Sequence, residues 1–92
     1  MHFEWDNEKN KINIRKHGID FVDVTGMFDY PMLTGIDTSQ VYGEDRWLGI
    51  GLLNPLIAVV VFVERHGDVI RIISARKATK REGRMYEASI EH

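Results

Sequence analysis

The sequence predicts an α+β fold, a small antiparallel β-sheet flanked by two N-terminal helices and one C-terminal helix. Three observations support this class. Two helix-start signals with apolar residues at helical spacing occupy the first 30 residues. Strand-like segments separated by turn residues follow, and a capping box then opens a last helix. The chain has 92 residues and neither repeat nor linker, so we expect a single domain over residues 1–92.

The first helix follows a short N-terminal strand and begins after Asp6, a residue type that caps helix N-termini. It ends at His17 and Gly18, since glycine readily adopts the left-handed conformation of a helix end. Ile12 and the aliphatic part of Lys16 are four residues apart, and we predict that they share the inner face of this helix.

The second helix begins near Asp20, which is spaced from Asp23 like the two members of a capping box. Its apolar residues recur at helical spacing, as Phe21, Val24 and Phe28. Pro31 ends it, and Gly26 in its interior lowers its helix propensity.

Four strands are predicted next, at residues 32–37, 46–53, 57–64 and 69–74. The third is rich in valine and lacks alternation, which is typical of a central strand buried on both faces. The turns between the strands are short, which favours an antiparallel meander. Thr79 and Glu82 then form the capping box of the last helix, which runs to about Ser89.

Several classes of protein are not expected from the composition. The longest apolar run has eight residues, too few for a membrane-spanning helix, and no secretory signal pattern is present. We therefore expect a cytoplasmic protein, which the absence of cysteine suits. No two histidines have the helical spacing of metal ligands, so neither a metal nor another cofactor is expected. Three serines lack the motif of a nucleophile, namely Ser39, Ser74 and Ser89.

Charge is distributed unevenly along a chain whose net charge is −2. Residues 1–64 have a net charge of −5 and residues 65–84 a net charge of +5. Arginine in the second segment suits the binding of a phosphate and of the charge that develops on it during transfer. Surface ion pairs with nearby carboxylates explain the same residues equally well at this point.

The geometry of the basic segment depends on one structural detail. Arg71 and Arg76 are five residues apart, so they face opposite sides of a regular strand unless the strand bulges or ends between them. On the last helix Lys80, Arg81 and Arg84 share one side.

An ordered set of residues extends from position 3 to about position 87. It comprises Phe3-Glu4-Trp5-Asp6, Lys9, Asn13, Lys16-His17-Gly18, Phe21, Phe28, Gly43-Glu44-Asp45-Arg46-Trp47, Glu64-Arg65, residues 71–79, Arg81-Glu82 and Tyr86. This set resembles the BrnT family of type II toxins. The resemblance implies a RelE-like fold, metal-independent cleavage of RNA that arrests translation, and a BrnA-type antitoxin. DNA would be a partner only indirectly, through the antitoxin complex.

A metal-free ribonuclease of this kind needs cations for the phosphate and a base for the 2′-hydroxyl. For charge stabilisation we predict Arg65, Arg71 and Arg76, and as candidate bases Glu44 and His17, either of which can equally be structural. The predicted RNA contacts are Lys77, Lys80, Arg81, Arg84 and Tyr86, the last by stacking on a base. Trp5 and Trp47 are expected in the core.

A second function stays open from the sequence alone. The chain can instead be a non-catalytic binding module whose basic end docks an antitoxin or a nucleic acid. Cleavage of RNA by the purified protein distinguishes the two.

Overall fold

Three α-helices and one 3-10 helix pack around a five-stranded sheet in the computed structural model, which describes residues 1–38 and 43–91. The strands are β1 (His2–Glu4), β2 (Leu33–Ile36), β3 (Trp47–Leu53), β4 (Leu56–Arg65) and β5 (Val69–Lys77). The helices are α1 (Asn7–His17), α2 (Phe21–Val24) and α3 (Lys80–Ile90), with the 3-10 helix at Thr25–Asp29. The predicted α+β class is confirmed. Ser39 and His92 lie outside the described residues.

The sheet has the order β1-β5-β4-β3-β2. β2 to β5 form the predicted antiparallel meander, and the valine-rich β4 is its central strand. β1 instead pairs in parallel with β5, so the whole sheet is mixed. The direction of β1 had no signal in the sequence, because no short turn connects it to the strand beside which it lies.

Both ends of α1 are capped as predicted. The Asp6 carboxylate accepts hydrogen bonds from the backbone N–H groups of Glu8 and Lys9, at 2.8 and 3.1 Å. Gly18 ends the helix with a φ of 69°, in the left-handed region that glycine adopts without strain.

The predicted inner face of α1 is wrong, because Ile12 is 55% exposed and Lys16 is exposed as well. The buried residue of this helix is Asn13. Its amide donates to the carbonyl of Ile19 at 2.9 Å and accepts from the backbone N–H of Ala75 at 3.1 Å. A polar side chain thus holds α1 at the edge of β5. The pattern of apolar residues in the sequence does not indicate this contact.

The second helix is shorter than predicted. α2 has four residues, and the chain then tightens into the 3-10 helix that contains Gly26. Its apolar side still points inward, since Phe21, Val24 and Met27 are fully buried.

The core lies on both faces of the sheet. The larger cluster packs α2 and the 3-10 helix against residues of β4 and β5, among them Ala58, Val60, Phe62, Ile70 and Ile72. Trp5 and Trp47 pack against this cluster, as expected. The smaller cluster lies on the other face, where Tyr86 of α3 covers Ile50 and Val59. Among the described residues, α3 is the helix that packs on the second face, at the end where Val59 lies.

Candidate functional site

A β-bulge in β5 places Arg71 and Arg76 on the same face of the sheet. Arg71 lies opposite Val63 of β4, and Arg76 lies opposite Val59 of the same strand. Val59 and Val63 share a face because they are four positions apart, so their cross-strand partners share it too. The register shifts between Val61 and Phe62, which leaves Ile73 as the extra residue on β5. The sequence predicted that Arg71 and Arg76 share a face only if the strand bulges or ends between them, and the bulge at Ile73 meets that condition.

Arg65 belongs to the same face, because it lies two residues beyond Val63 on β4. We call the surface formed by Arg65, Arg71 and Arg76 the arginine face. α3 packs at the Val59 end of this face, next to Arg76. The fold thus brings together the three arginines among the five residues predicted to be catalytic.

Each residue of the arginine face contacts a carboxylate. Arg71 donates to Glu4 of β1 at 2.6 Å, and Arg65 lies 3.5 Å from Glu44, at the limit of a hydrogen bond. Arg76 binds Glu82 through both of its terminal nitrogens, at 2.8 and 2.9 Å. The three carboxylates come from three separate segments, so the surroundings of the cations depend on the fold as a whole.

The pair of Arg76 and Glu82 is built into the start of α3. Glu82 also accepts from the backbone N–H of Thr79 at 2.9 Å, and its own N–H donates to the Thr79 hydroxyl at 3.1 Å, which completes the predicted capping box. The hydrogen bonds from Arg76 lower the pKa of Glu82 from 4.5 to about 2. Bonding to the same carboxylate raises the pKa of Arg76.

The two candidate bases lie far apart. Glu44 lies beside Arg65, in a cleft of about 440 Å³ that Glu64 and His66 also line. His17 lies at the end of α1, in a groove that reaches Ser74 of β5. Ser74 is five positions from the cross-strand partner of Arg65, or roughly 15 Å along the strand. Glu44 is therefore placed beside an arginine of the arginine face, whereas His17 reaches the face only near its edge.

The predicted RNA contacts divide into two groups. The side chains of Lys77, Lys80, Arg81 and Arg84 are exposed and free to meet a ligand. Tyr86 is only 6% exposed, and its hydroxyl donates to the carbonyl of Pro31 at 3.3 Å. Stacking of Tyr86 on a base is therefore wrong for this conformation, because the ring already forms part of the core.

Two residues that shape this site, Glu4 and Asn13, belong to the ordered set that carries the family resemblance but had no role predicted for them. Glu4 contacts Arg71 because β1 lies in parallel beside β5 and brings the two residues into register. Asn13 holds α1 against β5. The periodicity of apolar residues signals neither of them, because both are polar and their partners are distant in the sequence.

Two general features of the described chain bear on function. No group of three or more histidine and carboxylate side chains in residues 1–38 and 43–91 is arranged to hold a metal ion. Within the same residues, none of the helices has the length and apolar character needed to cross a membrane.

Comparison with known proteins decides the family. A family model described as the ribonuclease toxin BrnT of a type II toxin-antitoxin system matches residues 5–82. The chain belongs to the BrnT family. A BrnT crystal structure, that of the Brucella abortus ribonuclease toxin, is similar to the present fold with a TM-score of 0.68 and 30% sequence identity. The similarity covers 87% of this chain and 99% of the Brucella chain. None of the curated proteins matches.

Membership in BrnT confirms the resemblance that the sequence showed. It establishes the general role of this chain as a ribonuclease toxin of a type II toxin-antitoxin system. It also establishes that an antitoxin is a partner, since the system is defined by such a pair. The arrangement of the sheet and helices is similar to that of the Brucella abortus ribonuclease toxin.

Proposed function

We propose that this BrnT toxin is a metal-independent endoribonuclease whose substrate phosphate binds on the arginine face. The observation that supports this most directly is the shared facing of Arg65, Arg71 and Arg76, which the bulge in β5 produces. A guanidinium has five donors in a planar fork. The contacts with Glu4, Glu44 and Glu82 use only some of them, so donors remain for phosphate oxygens.

In the proposed reaction the 2′-hydroxyl of RNA attacks the adjacent phosphorus. A base takes the hydroxyl proton, the bond from phosphorus to the 5′ oxygen breaks, and an acid protonates that leaving oxygen. The products are a 2′,3′-cyclic phosphate and a 5′-hydroxyl. The arginines stabilise the extra negative charge on the phosphate oxygens in the transition state.

Glu44 and His17 remain the candidates for the base. Glu44 is the better placed of the two, since it already contacts Arg65 on the arginine face. Lys77, Lys80, Arg81 and Arg84 are exposed cations beyond the face and are proposed to bind the flanking phosphates.

Cleavage of RNA in the cytoplasm would arrest translation, and a BrnA-type antitoxin is proposed to neutralise the toxin. DNA is then contacted only through the antitoxin complex. Both proposals follow from the family and are tested by expression with and without the antitoxin.

The decisive experiment compares cleavage of RNA by the wild type, Arg71→Gln and Arg15→Gln, all in EDTA, with end-group analysis of the fragments. Arg15 is exposed on α1 and has no described ion pair, so Arg15→Gln controls for the loss of one charge. We expect cyclic phosphate ends from the wild type and the control, and a fall of at least tenfold for Arg71→Gln, since one lost contact with transition-state charge costs about 1.4 kcal/mol or more.

Circular dichroism must show that all three proteins are folded. Loss of cleavage in EDTA would refute the metal-independent mechanism. No cleavage of free or ribosome-bound RNA by folded wild type would instead favour the binding module that the sequence left open.

A further inference from the structure

We propose that the groove between α1 and β5 is a second phosphate-binding site, which holds the RNA strand next to the arginine face. We call it the α1 groove. It has a volume of about 190 Å³, and its lining includes Lys9, Ile12, Lys16, His17, Ile73 and Ser74. This inference rests on the proposed ribonuclease function and adds a part of the substrate path.

The chemistry of the lining suits an anion. Lys9 and Lys16 are seven residues apart, lie on one side of α1 and both line the groove. No carboxylate lines it. Neither lysine forms an ion pair with any residue that the structure describes. These two cations therefore differ from the three arginines, each of which contacts a carboxylate.

The two lysines differ in how α1 accommodates them. Lys9 lies near the positive end of the helix dipole, which is unfavourable, but the Asp6 carboxylate accepts its backbone N–H and attracts its charge, and both interactions help to lower the pKa of Asp6. Lys16 lies in the last turn, where the dipole stabilises a cation. The anion site is therefore inferred from the lining of the groove and not from helix stability.

The α1 groove adjoins the arginine face through Ser74. Ser74 lies opposite Val61 of β4, on the same face as Arg71 and Arg76 and between them along β5. Its hydroxyl makes no hydrogen bond within the described residues, so it is available to a phosphate oxygen. A strand bound on the arginine face can therefore continue over the edge of β5 into the groove.

The edge of β5 is open at this point because β1 is short. β1 pairs with residues 69–71 only, and beyond them α1 takes the place of a neighbouring strand. Asn13 holds α1 there through the backbone N–H of Ala75. Ile73, the extra residue of the bulge, lines the groove together with residues of this helix.

The test measures how salt weakens binding of single-stranded RNA whose 2′-hydroxyls are methylated, so that it binds without being cleaved by 2′-hydroxyl attack. Lys9→Gln/Lys16→Gln is compared with Lys11→Gln/Arg15→Gln, which removes two charges from exposed positions on another side of α1. For the groove variant we expect the slope of log affinity against log salt to fall by about 0.7 to 1.4, since each phosphate contact contributes about 0.7. We expect the control to keep the slope of the wild type.

A second pair of variants tests the same surface by adding a charge. Ile12→Glu places a carboxylate in the groove, and Ile14→Glu places one on α1 away from it, at residues that are 55% and 41% exposed. We expect Ile12→Glu to weaken RNA binding at least fivefold more than Ile14→Glu at low salt.

The outcomes separate the two proposals. The proposed phosphate site in the α1 groove would be overturned if the two double variants had equal slopes of log affinity against log salt, or if the two glutamate substitutions weakened binding equally. RNA cleavage by the wild type would still support the proposed function in that case. No binding and no cleavage by folded wild type would overturn both.

Discussion

At the scale of single residues, the arginine face is a set of cations that are already positioned before any substrate arrives. Arg76 is the most constrained, because two of its nitrogens bind Glu82 and one of them also donates to the carbonyl of Lys77. Arg65 is the least constrained, with its carboxylate partner at 3.5 Å. A phosphate bound as proposed would find Arg76 with its orientation fixed and Arg65 free to move toward it.

The pair of Arg76 and Glu82 predicts how stability depends on pH. The folded pKa of Glu82, about 2, lies below its ordinary value of 4.5, so its contribution is complete above pH 4.5 and is lost as the pH falls toward 2. Glu82→Gln removes that titration and keeps a side chain that suits a capping box. Between pH 5 and pH 2 we expect the wild type to lose about 1–2 kcal/mol more of its free energy of unfolding than the variant, after allowance for solvent screening.

Urea denaturation at both pH values measures this difference. Glu87→Gln, at an exposed position on the same helix, serves as the control and should follow the wild type. Identical pH dependence of the wild type and Glu82→Gln would contradict the assignment.

At the scale of elements, α3 is held to the sheet by few contacts. Tyr86 is its one buried side chain among the residues described, and the ion pair with Arg76 fixes its first turn. Met85 and Ile90 are 48% and 47% exposed. The attachment of α3, and with it the position of Glu82 beside Arg76, therefore depends largely on one aromatic ring.

Substitution of Tyr86 should weaken this attachment in two steps. Tyr86→Phe removes the hydrogen bond to Pro31 and should cost about 1 kcal/mol. Tyr86→Ala also removes the aromatic ring from the smaller core cluster and should lower the free energy of unfolding by about 3–5 kcal/mol. Thermal unfolding followed by circular dichroism gives both values, and Met85→Ala on the same helix should change stability by less than about 0.5 kcal/mol. A large effect of Met85→Ala would contradict the one-ring attachment.

The elements that the sequence predicted well are those with a local signal. Asp6, Gly18 and Thr79 mark helix ends through hydrogen bonds that stay within a few residues, and the structure has each of them. The facing of Arg76 depends on the bulge at Ile73, which pairing with β4 creates. The parallel pairing of β1 is equally non-local, so the contact between Glu4 and Arg71 could not be predicted.

At the scale of the whole molecule, a series of contacting aromatic rings joins elements that are distant in sequence. Phe28 of the 3-10 helix lies 5.2 Å from Phe3 and 5.1 Å from Phe62, measured between ring centres. These rings connect β1, the helical layer and the central strand of the sheet. A domain of this size has a stability of only about 5–15 kcal/mol, so the loss of one such ring affects the entire fold.

Phe28→Ala should therefore lower the free energy of unfolding by about 3–5 kcal/mol. Because one core spans the chain, far-ultraviolet circular dichroism and tryptophan fluorescence should report the same urea midpoint. Tyr30→Ala changes a second aromatic residue two positions along, which is 58% exposed, and should cost less than about 0.5 kcal/mol. Separate midpoints for the two probes would show that the helical layer unfolds on its own.

The shared carboxylate of Glu82 also has a consequence for genetics. Cells that express the toxin survive only if a substitution has inactivated it. The substitutions found in surviving cells therefore identify the residues that toxicity requires. Glu82 should appear in such a collection beside Arg76, because it orients the guanidinium of that residue. Survivors with a normal level of soluble toxin would identify residues of the site, and survivors with a reduced level would identify residues that stabilise the fold, such as Tyr86 and Phe28.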